Sequence, residues 1–181
     1  MIFNETKLKG AYIIEIEKKG DERGFFARAF DHEIFQRMGL ASKILQCNIS
    51  YNKKKGTIRG MHFQQRPFQE VKLLRCTKGS IFDVIIDIRP NSETYKQWIS
   101  IELTENNYKM LYAPEGFAAG FQTLEDNTSL FYQVSQMYMP EYERGIKWDD
   151  PSIRINWPLK PTTISEKDQN HPPFTDGKYD V

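Results

Sequence analysis

The stretch TIRGMHFQQ, residues 57–65, sets one arginine and one histidine in an apolar run that alternates as a β-strand does. His62 is one of three histidines in the chain. In that setting it can be a core residue, a metal ligand, or a base that takes a proton from a substrate, because neutral imidazole has a pKa near working pH. Arg59, in the same run, carries a planar fork of donors suited to phosphate or carboxylate. The two cysteines, Cys47 and Cys76, form no C-x-x-C pair and read as small buried residues rather than nucleophiles. Lys53–Lys55 read first as a solvated turn and second as a source of phosphate attraction at a binding mouth.

These residues need a scaffold, and composition bounds it. At 181 residues the chain can bury a real core, and it reads as one domain over 1–181. Charged residues make up 27%, hydrophobic residues 39%, and the net charge is +1, which describes a soluble globular protein. That balance gives no electrostatic reason to expect nucleic acid or an anionic membrane as a partner. The apolar stretch Phe82 to Ile88 is broken by Asp83 and Asp87, so no transmembrane helix is expected. MIFNETKLKG mixes acidic and basic residues without a signal-peptide core, and the expected location is the cytoplasm. Aromatics at 13% suit a β-rich core or a site that stacks flat ligands.

Along the chain the signals are mostly strand and turn. AYIIEIEKKGD alternates and ends in a turn, and DHEIFQRMG is the best short helix, opening at Asp31 as N-cap and closing at Gly39. ILQCNISYN and TIRGMHFQ read as strands about the turn KKKG. EVKLLRCT and SIFDVIIDIR meet at KGS, which reads as a tight hairpin. QWISIELT, YKMLYAP, GFAAGFQTL and SLFYQVSQMY follow at strand length. Such spacing is the pattern of an antiparallel sandwich or barrel. The proline-rich tail from Pro140 onward is expected to wrap the barrel rather than join its sheet.

Six stretches, in order, then resemble one family. They are DERGFFARAF (21–30), QCNISYNKKKGTIRGMHFQ (46–64), EVKLLRCTKGSIFDVIIDIRPNSETYKQW (70–98), LYAPEGFAAGFQTLED (111–126), FYQVSQMYMPEYERGIKWDDP (131–151) and ISEKDQ (164–169). Together they are similar to the dTDP-4-dehydrorhamnose 3,5-epimerases, the dTDP-sugar epimerases of the cupin fold. The resemblance implies an all-β cupin-type jelly-roll barrel with short peripheral helices, acting as a homodimer on a nucleotide-activated 4-keto-6-deoxyhexose. It implies no metal and no organic cofactor.

The chemistry of such a reaction follows from the ketone. A carbonyl at C4 acidifies the hydrogens at C3 and C5. Epimerisation then needs a base on one face, an acid on the other, and a cation or donor for the enolate oxygen. The resemblance assigns these roles to His62, Tyr132 and Lys72, and gives His62 a carboxylate partner at Asp168. Read without it, Asp168 is a surface tail residue, Tyr132 packs in the core, and alternation sends Lys72 to solvent. The resemblance also implies diphosphate contacts from Arg59 and Arg23, and base or sugar contacts from Gln46, Asn48, Glu143 and Lys167. Tyr138 is implied to stack on thymine. Phe25 and Arg28 join the substrate set, and the segment holding Arg23 is expected to come from the neighbouring subunit.

Two positions depart from the family. GFAAGF carries Ala119 where the family usually has a substrate-contacting histidine, and FFARAF carries Arg28 where a glutamate is common. Both bear on substrate choice. Ala119 also argues against metal: metal-binding cupins gather several histidines and a glutamate, and neither His32 nor His171 has ligand spacing with His62. The expected reaction converts dTDP-4-dehydro-6-deoxy-D-glucose to dTDP-4-dehydro-L-rhamnose, supplying deoxysugar for surface polysaccharide. The alternatives are an epimerase of one carbon only or of another sugar nucleotide, a ketone-moving isomerase, and a jelly-roll that binds without turnover. Arg59 and His62 can share a cavity only if strict alternation fails between them, so the strand is expected to be distorted at Gly60.

Overall fold

The computed structural model describes residues 1–175 and 179–181. In chain order the first strands are β1 (Ile2–Glu5), β2 (Tyr12–Glu15), β3 (Lys19–Asp21) and β4 (Gly24–Phe26), followed by helix α1 (His32–Arg37). Then come β5 (Gln46–Asn52), β6 (Thr57–Gln64), β7 (Lys72–Lys78), β8 (Ser80–Asp87) and β9 (Trp98–Thr104). The rest are β10 (Met110–Ala113), β11 (Phe117–Thr123), β12 (Thr128–Val134), β13 (Glu143–Gly145), β14 (Thr163–Ile164) and helix α2 (Glu166–Gln169). One sheet runs β1-β2-β10-β7-β12-β5, and a second runs β13-β6-β11-β8-β9, with β14 also on β6. These two sheets make the cupin-type β jelly-roll that the resemblance implies.

Alternation decides what each face buries. On β8, Ile81 and Ile85 join Leu103, Leu111, Phe117 and Leu130 in a cluster drawn from both sheets, which is the barrel interior. The intervening Val84, Ile86 and Ile88 point the other way, against Ile146, Ile153, Phe174, Tyr179 and Val181 of the tail. Both faces of β8 are therefore covered, which is why its sequence is nearly continuously apolar. The outer face of the first sheet is sealed by α1, whose Phe35 packs with Val71, Leu73, Met110 and Tyr112. Asp31 caps α1 by accepting from the N–H groups of Glu33 and Ile34. Each fully buried Ile, Leu or Phe contributes about 1.5–3 kcal/mol, and these clusters offset the cost of a polar cavity inside the barrel.

Three expectations are corrected. The KGS turn is not a hairpin: β7 pairs with β10 and β12, while β8 pairs with β9 and β11. Gly79, at φ +73°, carries the chain from one sheet to the other. The tail does join a sheet, because β13 pairs antiparallel with Gln64–His62 and β14 pairs parallel with Thr57–Ile58. Both lie along the edge of β6 that β11 leaves free, which delivers α2 to His62. Finally, Cys76 is buried but Cys47 is exposed.

Candidate active site

The site begins with the irregularity in β6. Ala119 pairs with His62 and Phe121 with Arg59, so two steps along β11 match three along β6. That extra residue is a β-bulge, and it turns Arg59 and His62 into one cavity. Gly60 sits in it at φ +124°, a conformation L side chains rarely adopt, and a Cβ there would lie 2.5 Å from Gly120 Cα. The distortion expected at Gly60 is therefore present, and only glycine fits it.

His62 Nε2 lies 2.7 Å from Asp168 Oδ1. Asp168 is not a surface residue: its side chain is 5% exposed, and its Oδ2 accepts the Gly60 N–H at 3.3 Å. Ser165 caps α2 by accepting the Asp168 N–H, so the short helix is held where its aspartate meets the bulge. Burial alone would raise the Asp168 pKa, but the His62 hydrogen bond and charge, with the Gly60 N–H, hold it below the ordinary value. A carboxylate on Nε2 fixes the tautomer with its proton there and leaves Nδ1 as the basic nitrogen.

A cavity of about 330 Å³ is lined by Arg59, His62, Ala119 and Phe121 from the second sheet and by Lys72, Leu74 and Tyr132 from the first. Imidazole and phenol thus come from opposite sheets. Lys72 does not face solvent, because the side of β7 opposite the α1-covered Leu73 is the barrel interior. Its Nζ donates to the His62 carbonyl at 3.2 Å and lies 3.2 Å from Glu70 Oε1. Tyr132 lies in register with Asn48 and Leu74.

Sequence reasoning passed over Asp83, which points into this cavity from β8. Burial pushes its carboxyl up to about 8 against the opposing Val84 N–H and Lys72 charge. It is mostly protonated at neutral pH, so it does not compete as an anion with a ligand oxygen for the Lys72 ammonium. The only sequence signal was a carboxylate on an otherwise apolar face. Because the folded chain holds this proton between about pH 4 and 8 and the unfolded chain does not, stability should fall as pH rises through that window. Asp83→Asn should flatten that fall, which linkage over the window puts on the order of 5 kcal/mol. Denaturant midpoints on both sides of the window, for both proteins, check it; equal slopes would place the titration elsewhere.

A second cavity of about 370 Å³ adjoins the first and shares His62, Lys72 and Tyr132 with it. Gln46, Asn48, Glu143 and Tyr138 line it. The Tyr138 hydroxyl donates to Glu143 Oε2 at 2.6 Å, and Lys167 also pairs with Glu143. The Glu143 bond raises the Tyr138 pKa to about 12. Gln46 Oε1 accepts the Tyr138 N–H at 2.8 Å. Gln64, to which the sequence assigned no role of its own, bonds Phe68, Met137 and Met139 main-chain groups and so fixes the loop bearing Tyr138.

Arg23, Phe25 and Arg28 are not brought to either cavity within this chain. Arg23 sits on the β3–β4 hairpin with its side chain 89% exposed and paired to Asp21. Phe25 packs edge-on against Tyr108, and Arg28 pairs with Asp31 at 3.3 Å. The Lys53–Lys55 side chains are exposed, as a solvated turn requires.

His171 corrects the spacing argument. Although remote in sequence, it reaches the His62–Asp168 pair, and the ligand atoms of all three lie within 4.8 Å of one another. As placed, His62 and Asp168 form a hydrogen bond. Two donors on one tetrahedral zinc stand about 3.3 Å apart, so the 2.7 Å separation suits a proton relay better than shared ligation. Among the described residues no helix is long and apolar enough to cross a membrane.

With this geometry in hand, the comparisons with known proteins are specific. The family model described as dTDP-4-dehydrorhamnose 3,5-epimerase matches residues 5–176. A relative of that name from Methanothermobacter thermautotrophicus is 45% identical over 95% of this chain and 94% of its own length. The crystal structure of dTDP-4-dehydrorhamnose 3,5-epimerase from Elizabethkingia anophelis superposes with a TM-score of 0.95 at 36% identity, covering 99% of each chain. A Legionella pneumophila enzyme solved in complex with dTDP-4-keto-L-rhamnose gives 0.89 at 34% identity, covering 95% of this chain and 92% of its own.

Proposed function

Since the chain belongs to the dTDP-4-dehydrorhamnose 3,5-epimerase family, we propose that it converts dTDP-4-dehydro-6-deoxy-D-glucose to dTDP-4-dehydro-L-rhamnose, inverting C3 and C5 in turn. The observation that carries this reading is the His62–Asp168 pair on one sheet and Tyr132 on the other, lining one cavity beside Lys72.

In this reading His62 Nδ1 takes the proton from the carbon next to the ketone. The C–H electron pair moves into the ring and onto the C4 oxygen, and the Lys72 ammonium holds the resulting enolate. Asp168 stabilises the imidazolium. The Tyr132 hydroxyl then gives its proton to the opposite face, which inverts the centre, and solvent restores both carriers before the second carbon reacts. A proton carrier in each of two facing sheets is what inversion needs and simple solvent exchange does not.

The nucleotide lies over the second cavity. Arg59 serves the diphosphate, Gln46, Asn48, Glu143 and Lys167 serve sugar and base, and the half-exposed Tyr138 ring stacks on thymine. Arg23, Phe25 and Arg28 belong to the site through a homodimer, whose hairpin would reach a second copy. The exposed rings of Phe25 and Phe26, at 41% and 66%, support such an interface. Ala119 offers a methyl where a histidine would offer a donor, so substrate orientation rests on Lys72, Arg59 and the Glu143 cluster.

The test is product analysis. Incubated with dTDP-4-dehydro-6-deoxy-D-glucose and a chelator, the chain should yield the L-rhamno 4-keto sugar, read from ring-proton couplings. A 3-keto product, a singly inverted sugar, or unchanged substrate would overturn the reading.

A further inference from the structure

The carboxylate behind the proposed base lies against two imidazoles. His171 Nε2 lies 3.4 Å from the same Asp168 Oδ1 that His62 holds at 2.7 Å. The two rings meet edge-on, with centroids 5.4 Å apart at 80°. His171 has a built seat: it lies against Gly145, where a Cβ would fall within 2.5 Å of three ring atoms. Gly145 is the residue that pairs with His62 across β13 and β6, so the ladder itself places the seat next to the base. The His171 side chain is 11% exposed, and its Nε2 is buried with no hydrogen-bond partner within normal geometry. A buried ring nitrogen 3.4 Å from a carboxylate, near enough to bond but not aligned to donate, is costly unless a small ring rotation completes the bond.

We propose that His171 is a positioning residue, whose neutral imidazole, seated on Gly145, donates from Nε2 to Asp168 and holds that carboxylate in line with His62. The inference rests on the epimerase reading of the site. The groups facing His171 are His62 on β6, Asp168 and Lys167 on α2, and Glu143 on β13. Burial, the His62 charge and Lys167 outweigh the two carboxylates and keep its pKa below the ordinary value. The ring is then neutral at working pH, and its Nε2–H tautomer supplies a second donor to Oδ1 once a small ring rotation aligns the 3.4 Å contact. A carboxylate with two donors is less basic, so the proton taken from the sugar stays on His62 instead of passing to Asp168. It is then lost to solvent from the nitrogen that faces the cavity.

Removing the donor makes Asp168 more basic, which raises the His62 pKa and moves the acid limb of kcat/KM to higher pH. His171→Phe keeps a ring in the seat, and His171→Gln returns an N–H near the Nε2 position. For the Phe variant, kcat should fall about tenfold with KM within about twofold, and the limb should rise by about half a unit. The Gln variant should keep the wild-type limb. NMR titration of the His62 ring in resting protein should show the same rise in the Phe variant, and it needs no turnover. A wild-type limb and His62 titration in His171→Phe would overturn the proposal, as would equal losses in both variants. If the wild-type chain fails to turn over, the epimerase reading falls, while the titration still decides the role of His171.

Discussion

Replacing His62 with alanine should lower turnover about 10³-fold and stop solvent exchange at both carbons, with the fold intact. General-base catalysis contributes about 10²–10⁴-fold, and no second group replaces this one. Lys72 is paired with Glu70 and bound to the His62 carbonyl. Asp83 is mostly protonated, and the His171 Nε2 is turned toward Asp168. The His62 side chain is 28% exposed, so its loss opens space toward the cavity more than it removes core packing. Asp168 keeps the Gly60 N–H on its other oxygen. Sugar-nucleotide affinity should therefore stay within a few-fold of wild type, because Arg59, Tyr138 and the Glu143 cluster are untouched. Near-normal turnover in His62→Ala would place the base elsewhere.

Tyr132→Phe should separate proton removal from inversion. The ring still fills the same space on β12, between Asn48 and Leu74 in register, so packing is preserved. What disappears is the proton donor on the face opposite His62. Exchange with solvent should persist at about one-tenth of wild type or better, because His62 can remove a proton and return one to the same face. Inverted product should fall about 10²-fold or more. Parallel measurement of exchange by mass and of product configuration by NMR reads both quantities in one sample. Equal losses of exchange and inversion would show that Tyr132 does not act as the separate acid.

Most of the longer strands were legible because they carry a period-two pattern or a bounded apolar run against a covered face. On β8 even the interruption was informative: Asp83 lies on the barrel-facing register of Ile81 and Ile85, and it marks where the apolar interior gives way to the cavity. The bulge at Gly60 could be anticipated from one geometric demand, that Arg59 and His62 share a side. Sheet membership could not, since Lys78-Gly79-Ser80 has the same turn chemistry whether its strands pair or part. Nor could the tail strands: at three and two residues, β13 and β14 are too short to show a period, yet they carry Asp168 and His171 to His62. Sequence motifs could assign Asp168 by resemblance, but His171 becomes visible only through the seat at Gly145. Arg23, Phe25 and Arg28 lie outside the cavities of their own chain, and nothing in their local pattern separates that placement from one inside.

In the proposed reaction one base and one opposing acid act at two carbons beside a single ketone. Its most direct test is to run the reaction in deuterated water with dTDP-4-dehydro-6-deoxy-D-glucose and locate the label in the product. Deuterium should appear at both C3 and C5 in a product inverted at both centres, and at neither carbon in the His62→Ala reaction. Label at one carbon only, or inversion without label, would contradict it.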